Sequence, residues 1–62
     1  MDQIKHIEEA GRKAALARHH HDESTARFHT DWARKAAYLD DDPQAMDKFN
    51  AAYREEAALY RR

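Results

Sequence analysis

The amino-acid sequence predicts an all-α fold: a small three-helix antiparallel assembly made of two overlapping helical hairpins, in a single domain over residues 1–62. Three observations lead there. Alanine supplies much of the apolar content and valine is absent, so intrinsic propensity favours helix over strand. Apolar residues recur at three- and four-residue intervals, the spacing that gathers side chains on one helical face. The stretch Arg27 to Leu39, which holds the sole tryptophan, is echoed twenty-one positions on by Lys48-Phe49, Tyr53 and Ala57-Ala58-Leu59-Tyr60, and upstream by Arg12-Lys13-Ala14-Ala15-Leu16. The echo implies three similar helices.

The first helix is expected over about residues 2–18, with Asp2 as N-cap and Ile4, Ile7, Gly11, Ala14 and Arg18 on one face. After the two isoleucines that face offers only glycine and alanine, a surface that another backbone can approach closely. Ile4, Ile7 and Gly11 are therefore candidates for contact with another chain. Glu8 with Arg12 and Glu9 with Lys13 form i,i+4 pairs on a solvated flank, each worth roughly a few tenths of a kcal/mol.

His19-His20-His21-Asp22 falls where the echo places Asp40-Asp41-Asp42-Pro43. The latter is a turn signal, since aspartate suits a cap and proline the first helical position. By analogy the histidines lie in a turn, Asp22 caps the second helix and Glu23 complements its dipole. The alternative is one long helix plus a C-terminal helix forming a dimeric hairpin. No glycine or proline interrupts residues 12–42, and Ala14, His21, Thr25, Phe28 and Trp32 keep heptad spacing.

The second helix, over about residues 22–39, carries Thr25, Phe28, Trp32, Ala36 and Leu39 on one stripe. The third, over about residues 43–61, carries Met46, Phe49, Tyr53, Ala57 and Tyr60. A short turn makes consecutive helices antiparallel, so these stripes are expected to face each other across the Asp40-Asp41-Asp42 corner. The expected core is Phe28, Trp32, Leu39, Met46, Phe49 and Tyr53. Ala45, Phe49 and Ala52 have a spacing that resembles the second helix of a tetratricopeptide hairpin, over half a repeat. Trp32 and Pro43 do not fall where that family's pattern has its tryptophan and proline, and no peptide-binding role is carried over.

Charged residues make up 37% of the chain and nearly cancel, to a net charge of −1, so neither a polyanion nor a membrane surface is an obvious partner. A nucleic-acid-binding regulator of helix-turn-helix type is an alternative, but Lys48, Arg54 and Arg61 are interleaved with Asp47, Glu55 and Glu56 on the natural recognition helix. The absence of cysteine removes thiolate chemistry and suits a cytoplasmic setting. No apolar run approaches the roughly 20 residues of a membrane span, and Met1-Asp2-Gln3-Ile4 opens nothing like a signal peptide. With one serine, Ser24, and no phosphate-binding loop, no enzymatic activity and no cofactor are expected.

His6, His19, His20, His21 and His29 raise a metal- or pH-responsive alternative. Adjacent histidines on a helix point about 100° apart and no HExxH arrangement occurs, so no metal ligand is assigned. Asp40-Asp41-Asp42 lacks the alternating ligands and glycine of a calcium loop and reads as a cap or an acidic knob for a basic partner.

What remains is a small non-enzymatic protein-binding module acting through exposed helix faces, on another protein or on its own copy. Its specific form is an accessory inhibitor or modulator of a larger complex, of the kind phages and plasmids encode. Tyr38, Leu59, Arg34 and Arg54 are the expected interface anchors, with Asp40 and Asp41 beside them, because tyrosine and arginine dominate protein interfaces. About a dozen large apolar side chains barely offset the ordering of 62 residues, so self-association or a partner is expected.

Overall fold

The computed structural model describes residues 3–61 and contains three α-helices, Gln3–His19 (α1), Glu23–Leu39 (α2) and Ala45–Leu59 (α3). The three-helix reading holds, and the long-helix alternative is excluded by a break after His19. Asp2, the expected cap of the first helix, and Arg62 lie outside the described residues.

Both corners use the same closure. At the first, the His21 N–H donates to the Arg18 carbonyl at 3.0 Å and the Asp22 N–H to that of Ala17 at 2.8 Å. At the second, the Asp41 N–H donates to Tyr38 and the Asp42 N–H to Ala37, both at 3.2 Å. This is the Schellman pattern, in which the residue after the helix turns left-handed and frees the last carbonyls from needing water. His21 has φ 61° and Asp41 φ 50°. The corners therefore match at twenty residues rather than twenty-one, and Asp22 corresponds to Asp42, not to Pro43.

Each corner ends on a carboxylate. Asp22 accepts the Thr25 N–H at 3.1 Å and the Thr25 hydroxyl at 2.5 Å, so it caps α2 as expected. Asp42 accepts the Gln44 N–H at 3.0 Å, which holds Pro43 and Gln44 in the turn and starts α3 at Ala45, later than Pro43.

The expected pairing of α2 with α3 does not form. α1 instead packs along both, and α2 touches α3 at few positions. Side-chain size is the cause. α1 buries Ile7, Ala10, Gly11, Ala14, Ala15 and Ala17, a broad side made almost wholly of small residues, and two helix backbones can approach such a side at once. Gly11 has no room for a side chain, because α3 lies against it at Phe49, Ala52 and Tyr53. Ile7 and Gly11, expected to contact another chain, are thus interior, while Ile4 is half-buried.

The core cluster is Ile7, Ala10, Ala14, Ala33, Ala37, Ala45 and Phe49, with Met46 and Tyr53 partly buried against it. Phe28, Trp32 and Leu39, expected in the core, are 66%, 40% and 69% exposed. Helical periodicity marks a stripe of large residues, yet the side of α2 that docks is the one that lets it come closest to α1. That side is Ala26, Ala33, Ala36 and Ala37. Alanine burial contributes little per residue, so Ile7 and Phe49 are the large side chains that anchor the bundle.

Candidate protein-docking face

α2 is built inside out relative to an ordinary surface helix, which turns its large apolar residues to the core. Its alanines are buried, whereas Phe28 and Leu39 are mostly exposed and Trp32, 40% exposed, lies beside the flank of α1. Within α2 the Thr30 hydroxyl donates to the Ala26 carbonyl one turn back at 2.8 Å. Phe28 and Trp32 border an open cleft of about 250 Å³, whose other wall is α1 at His6, Glu9 and Lys13. Glu9 and Lys13 pair at 3.2 Å on that wall, both more than half exposed, and so contribute little to stability. Further along α2, Trp32, Lys35 and Leu39 line a second depression, which makes the apolar surface continuous from Phe28 to Leu39.

The expected anchors are dispersed. Tyr38 is 84% exposed at the end of α2 and shares a depression with Asp41 and Met46. Arg34 and Asp40 are exposed, as are Arg54 and Leu59 on α3, and no contact gathers all of them. The residues that do form a surface are Phe28, Trp32 and Leu39, which sequence reasoning places inside. Their shared stripe is visible in the sequence; its outward direction is not.

At the opposite end α1 is clasped to α3. Arg18 Nη1 donates to the Tyr53 hydroxyl at 3.1 Å with its guanidinium 5.6 Å from the ring centre, and His19 stacks on Tyr60 with ring centres 4.3 Å apart. The Tyr60 hydroxyl donates to Glu56 at 2.6 Å, and that bond to a carboxylate raises the phenol above its ordinary pKa. Arg18 also reaches Glu23 across the first corner at 3.7 Å. This clasp accounts for His19, Tyr53 and Tyr60 as packing residues. Among the described residues, no three His, Asp or Glu side chains converge as a metal site would need, and no helix is long and apolar enough to cross a membrane.

Comparison with family models, with curated proteins and with solved structures finds no match for this chain.

Proposed function

We propose that this chain is a non-enzymatic protein-binding module whose docking surface is the outer face of α2. One observation carries the reading: the helix buries its alanines and exposes Phe28, Trp32 and Leu39. Contiguous exposed apolar surface rimmed by charge is the signature of a protein contact, and covering what remains exposed of Phe28 and Leu39 contributes on the order of 1–2 kcal/mol each. Lys13, Glu9, Lys35 and Asp40 supply a rim of both signs, which orients a partner without selecting a polyanion. An accessory role, in which the module occupies a surface of a larger complex and so inhibits or modulates it, agrees with the open form of the face.

The reading is tested by capture from the native host with two baits, the parent chain and the Phe28→Ser/Leu39→Ser variant, matched for helicity by circular dichroism. A protein retained by the parent and lost by the variant is the expected result. Identical capture by both would overturn the assignment of this face.

A further inference from the structure

We infer that the partner that covers the α2 face is a second copy of this chain, packed antiparallel about a two-fold axis near Ala33 and Arg34. The inference rests on the docking role of that face and names its occupant.

The exposed stripe of α2 is complementary to its own reverse. Phe28 and Leu39 lie equally far on either side of the Ala33–Arg34 step, and so do Trp32 and Lys35. At roughly 100° per residue these four side chains fall within about 60° of arc, on one side of the helix. A two-fold axis through that step therefore sets Phe28 against the partner's Leu39 twice, and Trp32 within reach of the partner's Lys35 twice. The first is apolar on apolar. The second lays the alkyl stem of Lys35 across the seam beside the indole and leaves its ammonium free for the flank.

The rim obeys the same symmetry. Asp31 lies on the flank of the stripe next to Lys35, and a two-fold perpendicular to both helices brings like flank against like flank. Asp31 therefore meets the partner's Lys35, giving two symmetry-related ion pairs. A parallel arrangement would instead set Lys35 beside Lys35, send the two Asp31 side chains to opposite flanks of the seam, and align the two helix dipoles unfavourably.

Size and charge agree with this occupant. The described chain exposes 4796 Å², so a standard interface of about 800 Å² per partner takes about a sixth of it. Phe28, Trp32 and Leu39 form the apolar centre of such an interface, and the adjoining cleft against α1 with its charged wall forms part of the rim. A net charge of −1 leaves almost no repulsion between copies. Covering Phe28, Trp32 and Leu39 also adds three large side chains to a core whose large anchors are Ile7 and Phe49.

The test is mass by light scattering and sedimentation over a wide concentration range, on the parent, on Asp31→Lys, on Lys35→Asp and on an equimolar mixture of those two variants. The parent should be a dimer. Each variant alone places like charges at both flank contacts and should dimerise roughly tenfold more weakly. The mixture should recover parent-like affinity as a heterodimer. In it the lysine introduced at position 31 of one chain faces the aspartate introduced at position 35 of the other, and the two unaltered residues, Lys35 and Asp31, face each other at the second contact.

A parent that stays monomeric to about 1 mM overturns the second copy as occupant. So does a mixture no tighter than its components, or a dimer that survives Phe28→Ser/Leu39→Ser. A monomeric parent whose captured partner is still lost on Phe28→Ser/Leu39→Ser would leave the docking face standing and remove only the self-pairing. Failure of both measurements removes the face itself.

Discussion

A methyl group placed on Gly11 would lie 2.5 Å from the carbonyl oxygen of Phe49, closer than side-chain carbons come to backbone oxygen. The obstacle is main chain on a packed helix, so it cannot swing aside. Gly11→Ala should gain about 1 kcal/mol of helix propensity yet lose about 1–3 kcal/mol to overpacking, with a net loss of stability. Urea unfolding followed by circular dichroism reads the balance. A more stable variant would show that α3 can move away from α1 without cost.

The two left-handed corner residues give a prediction of opposite sign. His21 and Asp41 hold positive φ, which costs an L-residue roughly 1–2 kcal/mol and glycine almost nothing. His21→Gly should stabilise the chain by about 1 kcal/mol, and Asp41→Gly by less, because aspartate tolerates this conformation. His21→Pro is a different matter. A register of twenty-one matches the histidine turn to one that accepts proline, whereas proline fixes φ near −65° and cannot form the observed corner. It should cost about 3 kcal/mol or more, measured as a fall in thermal midpoint.

Phe49 and Trp32 should respond in opposite ways to truncation. Trp32, expected in the core, is 40% exposed. Phe49→Ala, at a site only 3% exposed, should cost about 3–5 kcal/mol and leave little folded protein. Trp32→Ala should leave the dilute chain helical while weakening association, so its melting temperature should lose its dependence on concentration. Equal losses from both substitutions would place Trp32 back in the core.

The cap on α2 carries a pH signature. The hydroxyl of Thr25, followed by its backbone N–H, donates to the Asp22 carboxylate and lowers its pKa below the ordinary value. A lowered folded-state pKa stabilises the fold fully above the ordinary carboxylate value, and that contribution is lost as the pH falls through the lowered one. The parent should therefore melt above Asp22→Ala at neutral pH, and the gap should narrow on acidification. A gap that is constant from neutral to strongly acidic pH would assign the cap to geometry rather than charge.

Helix number, the cap on α2 and the position of both corners are legible in the sequence, because alanine-rich segments have few alternatives to helix and Asp22 and Asp42 are strong boundary signals. Glu9 and Lys13 form the ion pair their spacing implies. Which helices pair is not legible. The apolar moment of α2 points along Phe28, Trp32 and Leu39, and periodicity alone assigns that direction to the interior. The decisive quantity is the distance at which two backbones can pack, set by Gly11 and the alanines of α1, residues that a hydrophobicity count ranks low. The exposed face of α2 escapes a sequence reading for the same reason, since periodicity sends Phe28, Trp32 and Leu39 to the core.

The central place of α1 also bears on how the chain is completed during synthesis. The helix that stands between the other two in space is the earliest of the three to be made, and α3, which covers its glycine side, is the last. An α1–α2 hairpin made alone would leave Gly11 and Ala15 without the α3 surface that packs beside them. The pairing of α1 with α3 across the full intervening helix joins distant parts of the chain, so closing it carries a loop entropy that the α1–α2 corner does not. Any chain stopped short of Ala45 is left with α1, α2 and nothing of α3 against Gly11.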